Sequence, residues 1–294
     1  MSESVETLRK KIEKAKILGS FVRTMKTLAS LNIRQYEESV RALVDYYHTV
    51  ELGLAGVMRS GYRKYFELPS EEKKRLLTVA VVFGSDQGLV GQFNDQLVDA
   101  VRAKLPEATS NSRFLIVGEQ VRLRMMEMDP GVFFGVPNSV NAITWLVGDL
   151  LVAIENLREQ AGMIELCIFY NSPVAGGVYR SVSKRLLPFD ESWEKETLDR
   201  CIWPTRTLPE LPVGPEATQW ALVREYLFVS MFRACAESLA SENASRLEAM
   251  QRADRNIDEM LEELSRSYHE RRQAKIDEEL FDLVSGFNAL TGKS

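Results

Sequence analysis

Hydrophobic positions divide the chain into two long ends and a different middle. Near the N-terminus, apolar or small residues recur at Ala15, Leu18, Val22, Met25, Ala29, Asn32 and Tyr36, in alternating steps of three and four. After one slip in phase the series resumes at Val40, Leu43, Tyr47, Val50, Leu54 and Val57. This spacing predicts a helix with a single apolar seam, the kind that packs along a second helix. At 1.5 Å per residue, a helix of ~50 residues is roughly 75 Å long. The C-terminal end repeats the pattern at Trp220, Val223, Leu227, Ser230 and Ala234, then at Leu247, Met250, Ile257, Leu261, Leu264 and Tyr268. A last run follows at Ile276, Leu280, Leu283, Phe287 and Leu290. Ala234, Ala236, Ala240, Ala244, Ala249 and Ala253 keep one stretch thin, so that a partner helix can approach closely. Neither long helix is expected to leave its stripe in water. Because the middle returns the chain, the two ends are expected to pair antiparallel.

The middle switches from helical spacing to short apolar runs and holds all ten prolines. Strands are predicted at 76–83, 113–117, 132–134, 163–170 and 178–187, the last as an edge strand. Helices are predicted at 93–105, 119–128 and 138–160, the third capped by Asn138 or Ser139. Strands alternating with helices predict a small parallel or mixed sheet covered by helices. Residues 203–215 hold four prolines and read as an extended connector. The expected organisation is an α/β protein. A long antiparallel coiled coil from residues 1–60 and 216–294 carries a small Rossmann-like domain at 76–200, with a Pro-rich connector at 201–215.

Composition narrows the chemistry. The 294 residues are 45% hydrophobic and 27% charged, with a net charge of −5, a globular balance unlike that of a general nucleic-acid binder. Cys167, Cys201 and Cys235 lie too far apart for a disulfide scaffold or a zinc motif, and His48 and His269 are the only histidines. No metal, cofactor or catalytic residue is therefore expected. The best candidate for a membrane span, 142–154, is too short and contains Asp149. No signal or transit peptide is read at the N-terminus, where Glu3, Glu6 and Glu13 interrupt the basic residues.

The segment from Gly84 to Asn94 sits between a strand and a helix, where phosphate loops occur. Its glycine spacing is wrong for a dinucleotide fingerprint, and the phosphate-loop lysine and hydroxyl are missing. It reads either as a weak nucleotide loop or as a polar turn whose surface meets a partner. Asp258, Glu259, Glu262 and Glu263 read as a solvated helix face rather than a catalytic carboxylate pair. Eight basic residues between Arg9 and Arg34 oppose one acid, Glu13, which suggests an acidic partner. From His269 to Lys275 the seam contains no large apolar residue. A helix gripped from outside by a collar could use such a break.

The run Arg233-Ala234 through Glu237-Ser238-Leu239-Ala240-Ser241-Glu242 resembles a signature of the gamma subunits of F-type ATP synthases. So do Arg246, Ala249-Met250, Ala253 and Asn256, then Tyr268, Arg272-Gln273-Ala274, Ile276, Glu279-Leu280 and Val284-Ser285-Gly286. Leu8 to Ile12, Thr24-Met25-Lys26 and Ser85-Asp86-Gln87-Gly88-Leu89 through Asn94 extend the resemblance over nearly the whole chain. Val90, His269, Asp277 and Asn32 depart from the usual residues of the family, as in a divergent branch.

The resemblance implies a central rotor shaft that couples ion-driven rotation of a membrane ring to ATP synthesis or hydrolysis at the beta subunits. It implies alpha and beta subunits as a surrounding hexamer, with the epsilon subunit and the c-subunit ring at the foot. Membrane attachment is through that complex only, at the cytoplasmic face of a bacterial inner membrane. Arg9, Lys11, Met25, Lys26, Arg272, Gln273, Asp277 and Glu279 are implied to meet beta-subunit loops. Asp86, Gln87, Gly88 and Asn94 are implied to lie in the foot. The alternatives are a coiled-coil adaptor with an α/β head and a Rossmann-like enzyme with helical arms.

Overall fold

The computed structural model describes residues 4–61, 76–105, 111–126, 128, 131–174, 179–189, 191–203, 205, 207 and 209–292. Helix α1 spans Val5–Ala42 and α2 spans Val44–Arg59. The sheet domain follows as β1 (Leu77–Phe83), α3 (Phe93–Lys104), β2 (Ser112–Val117), α4 (Glu119–Met125), β3 (Val132–Phe134), α5 (Val140–Ala161), β4 (Ile164–Ser172) and β5 (Arg180–Leu187). Helix α6 (Glu191–Arg200) precedes the connector, and α7 runs from Pro215 to Thr291. Residue contacts divide the chain into two compact units, 1–28 with 247–294 and 29–246.

The first unit is a pair of helical segments. Val22 of α1 packs with Met250 and Ile257 of α7, flanked by Met25, Ala253 and Leu261. Along α1 the buried apolar positions Leu8, Ala15, Val22, Ala29 and Tyr36 recur every seven residues, the repeat of a left-handed coiled coil. The alternate contact falls at Gly19 rather than at Leu18, which is 52% exposed. A Cβ on Gly19 would sit 3.3 Å from Ile257 Cγ2, so the missing side chain lets α7 approach. The expected seam over Ile276, Leu280 and Leu283 is not covered: all three are exposed. Continuing the antiparallel register set by Gly19 and Ile257, Val5 stands opposite about residue 271, and α7 continues past that point. The side chain of Leu290 lies outside the described residues.

In the second unit the sheet order is β3-β2-β1-β4-β5. Strands β1 to β4 are parallel, and β5 is antiparallel to β4 at the edge. The pleat sends alternate residues of β1 to opposite faces. Ala80 and Val82 pack with Leu97, Val101, Val121 and Met125 from α3 and α4. Val79, Val81 and Phe83 join Ile143, Val147 and Leu150 of α5 together with residues of α2 and α7. This is a three-layer α/β arrangement. Ser139 caps α5 by accepting a hydrogen bond from the Ala142 amide. Helix α5 is the one described helix long and apolar enough to cross a membrane, and its Ile143, Leu146, Val147, Leu150 and Ile154 are buried.

The predicted strands and helices of the middle all appear, with ends shifted by a few residues; Val178 lies outside the described residues. The phase slip near Tyr36 to Val40 resolves as a break at Leu43, where α1 gives way to α2. Helix α6 was not predicted. Its sequence, ESWEKETLDR, is largely charged and supplies only Trp193, Thr197 and Leu198 toward packing, too few to show a helical period. Truncating the paired helices at their contact tests the packing: Ile257→Ala is expected to cost roughly 2–4 kcal/mol in urea unfolding of the full chain. A loss below ~1 kcal/mol would mean that Ile257 is not a packed seam residue.

Candidate functional site

The carboxyl ends of β1 and β4 lie at the point where the order of the sheet reverses. Helices α3 and α4 return to one face after β1, and α5 returns to the other before β4. In doubly wound sheets the crevice at this point is where ligands bind. Here it is filled by α7. Ser238 Oγ donates to the Phe83 carbonyl at the end of β1, at 2.8 Å. Ser241 Oγ donates to the Asn171 carbonyl near the end of β4, at 3.0 Å. Ser245 Oγ donates to the Val90 carbonyl in the turn after β1, at 2.6 Å. Positions 238, 241 and 245 share one helix face. With Ala234, Ala236 and Ala240 buried beside them, α7 has side chains small enough to lie against strand ends.

The turn after β1 is braced from within. Buried Asn94 accepts from the Ser85 amide at 3.1 Å and donates to Ser85 Oγ at 2.8 Å. Asn171 reaches across to donate to the Phe93 carbonyl at 2.9 Å and accepts from Ser181 Oγ at 2.7 Å. The Asp86 carboxylate accepts from the Glu119 amide at 2.9 Å and from the Val136 amide at 3.0 Å. One side chain thus ties the β1 turn to the start of α4 and to the segment after β3. A Cβ on Gly84 would lie 2.3 Å from Val121 Cγ1, so only glycine allows this approach to α4. Gln87, Gly88 and Leu89 form the exposed tip. Of the four residues expected in the foot, Asp86 and Asn94 are internal braces, while Gln87 and Gly88 face solvent.

Below this face, Glu242 is buried and accepts from Arg246 at 2.7 Å. Burial pushes its carboxyl above the usual range, the Arg246 charge opposes that, and Asp86 adds to it. Asn32, where the resemblance leads one to expect lysine, donates to Asn243 Oδ1 at 3.3 Å.

In the paired segments, the basic stretch is partly neutralised by the chain itself. Lys26 Nζ lies 2.7 Å from Asp254, and Arg23 bridges Asp254 at 3.1 Å and Asp258 at 2.9 Å. Lys10 pairs with Glu6 at 2.9 Å and Arg34 with Glu38 at 3.4 Å. Met25 is half-buried against α7, whereas Arg9 and Lys11 are exposed on α1. The band from His269 to Lys275 is exposed throughout, and Arg272, Gln273, Asp277 and Glu279 all stand on the surface of α7. Glu279 lies 3.7 Å from Lys275, one helical turn away. Met25 and Lys26 are therefore brought into the helix pair, while the four C-terminal residues are presented outward.

In the sequence Ser238 and Ser241 stand within the 233–242 motif, whereas Ser245 belongs to no motif. Their spacing of three and four on an alanine-rich stretch was the available signal for a polar seal. Nothing in the sequence linked Asp254 to Lys26, which are 228 residues apart.

The profile of the family described as ATP synthase matches residues 4–290. The ATP synthase gamma chain of Ruminiclostridium cellulolyticum is 22% identical over 298 residues, covering 99% of this chain and all of that one. The ATP synthase gamma chain of Paramagnetospirillum magneticum is 27% identical over 304 residues, covering 98% and 99%. A chain in the cryo-EM structure of the Euglena gracilis mitochondrial ATP synthase OSCP/F1/c-ring, rotational state 3, is 16% identical with a TM-score of 0.62. That match covers 99% of this chain and 96% of the other, and it speaks to the fold alone.

Two measurements check the site. Ser238→Ala and Ser241→Ala each leave a carbonyl at the sheet's end without its hydroxyl donor, and each is expected to lower stability by about 1–3 kcal/mol in urea unfolding. Hydrogen bonds from Lys26, then the Lys26 and Arg23 charges, hold Asp254 below its ordinary range. A depressed carboxylate stabilises the fold above its unfolded value of about 3.9 and loses that contribution as pH falls through the lower folded value. Asp254→Asn should accordingly melt earlier than the natural chain at pH 7, with the gap closing below pH ~4. A gap independent of pH would refute the ion-pair account.

Proposed function

The chain belongs to the ATP synthase gamma-chain family, and from that premise we propose that it works as a rotor shaft with no catalytic site of its own. It is the central-stalk subunit of an F-type ATP synthase, a non-catalytic component of a rotary enzyme. Its partners are the alpha and beta subunits, the epsilon subunit and the c ring. The observation that carries the reading is the filled crevice. The place where a sheet of this topology would hold a nucleotide is occupied by Ser238 and Ser241 of the chain's own helix. An α/β domain sealed in this way serves as a rigid body. It resists an enzyme reading for the Gly84 to Asn94 turn, whose polar side chains at Ser85, Asp86 and Asn94 are bonded internally.

The shaft comprises residues 1–60 and 216–294, the foot domain 76–200, and the connector 201–215. Rotation of the ion-driven ring turns the foot and the shaft together, at the cytoplasmic face of a bacterial inner membrane. A shaft can drive chemistry elsewhere only if its contacts favour one state of a catalytic subunit over another. Exposed polar and charged groups on the helices meet that requirement, because they meet each of the surrounding subunits in turn. Arg9, Lys11, Arg272, Gln273, Asp277 and Glu279 are the residues assigned to the beta-subunit loops. Lys26 and Met25 act on those loops through the helix pair they stabilise. Gln87 and Gly88 are the outward part of the foot contact, and Asp86 and Asn94 hold it in shape.

Arg272→Ala combined with Gln273→Ala tests the assignment. Both residues are exposed, so thermal unfolding of the chain should shift by less than about 0.5 kcal/mol. ATP hydrolysis by the fully assembled complex should fall by about 5-fold or more, the lower end of coupling between sites. Natural turnover from the assembled double variant would remove these residues from the coupling surface. The purified chain alone should hydrolyse no ATP; turnover abolished by a change within residues 85–94 would restore the enzyme reading.

A further inference from the structure

Two of the chain's rarest metal-binding side chains meet at a place the rotor function does not use. His48 and Glu51 stand three residues apart on α2, a spacing that puts both on one face of the helix. Cys201 follows α6, 150 residues further along the chain. The fold brings the three together so that one donor atom from each lies within 4.8 Å of the others. Glu51 and Cys201 are buried, and His48 is exposed.

We propose that His48, Glu51 and Cys201 form a binding site for a divalent, borderline-soft transition metal ion, with zinc as the expected occupant. An imidazole nitrogen, a carboxylate oxygen and a thiolate sulfur are the three donor types of protein zinc sites. Sulfur and nitrogen donors select against magnesium and calcium, which take oxygen ligands. Three protein ligands leave one tetrahedral position for water, and the exposed side of the site at His48 provides entry.

The surroundings hold the donors in place. The Cys201 amide donates to the Thr197 carbonyl at 2.8 Å, and Arg59 donates to the carbonyls of Cys201 and Leu198 at 2.8 and 2.9 Å. Arg200 lies 2.5 Å from one oxygen of Glu51. Hydrogen-bonded carboxylates of this kind are common metal ligands. The guanidinium also offsets the two negative charges that glutamate and thiolate bring. An ion here joins α2 to the point where the connector begins. Because Arg200 and Arg59 already bridge these elements, metal adds a fourth link to an existing clasp.

Cobalt titration of the metal-free full chain tests the site, since Co2+ reports its ligands in the visible and near-ultraviolet spectrum. The natural chain should develop a thiolate-to-cobalt charge-transfer band with tetrahedral d–d absorption, and zinc should displace both. Cys201→Ser should abolish the charge-transfer band. His48→Ala, a change at an exposed position that leaves the fold intact, should keep the band but weaken cobalt affinity by more than about 10-fold, the loss already seen for outer hydrogen-bonding partners. Absence of the band in the natural chain would show a purely hydrogen-bonded clasp and overturn the proposal. So would a band that survives in Cys201→Ser, or an affinity unchanged by His48→Ala.

Discussion

The contact on which the sheet domain depends is the row of hydroxyls that α7 lays across its strand ends. Parallel strands finish with carbonyls that the sheet itself does not satisfy, and a buried carbonyl without a donor costs free energy. Ser238, Ser241 and Ser245 supply donors to Phe83, Asn171 and Val90, and the neighbouring alanines allow the helix to come close enough. A larger side chain at these positions would hold the helix away from the carbonyls. The same feature turns a ligand-binding topology into a sealed one. What would be a substrate crevice in an enzyme becomes the joint between the domain and the longest helix of the chain.

Charge is distributed in two ways along the helices. Arg23 and Lys26 are directed at Asp254 and Asp258 across the helix pair, where they set register between segments far apart in sequence. Such exposed pairs contribute little stability individually, but their geometry favours one alignment over others. Arg9, Arg272, Gln273, Asp277 and Glu279 are directed outward. A protein whose task is to be felt by surrounding subunits needs both kinds. Inward pairs hold the helices to one geometry, and in the role proposed for this chain the outward groups are those that surrounding subunits would meet.

The long helices, the alternation of strands and helices, and the family were legible in the sequence, for one physical reason. Each rests on short-range periodicity: the three-and-four recurrence from Ala15 through Val22 and Ala29 to Tyr36, apolar runs such as 76–83, or residues close together such as 237–242. Local spacing determines which face of an element is apolar, whatever that element later meets. Where the local signal was weak, reading failed. Helix α6 is too polar to show a stripe, and the choice between Leu18 and Gly19 depended on how closely α7 approaches.

The matched seams made the antiparallel pairing of the two ends legible, but the particular contacts between distant residues came from tertiary structure. The apolar run at Ile276, Leu280 and Leu283 predicts a buried face, yet those residues are exposed, since the antiparallel register places Val5 of α1 opposite about residue 271. The partners of Lys26 and Arg23, the internal bonds of Asp86, and the meeting of His48 and Glu51 with Cys201 follow from how elements pack. Cysteine and histidine spacing along the sequence records only contour distance and carries no trace of that meeting. By itself the sequence determined which elements form and which faces they bury. Which side chains meet was settled by packing, because contacts across 150 or 228 residues leave no periodic trace in the chain.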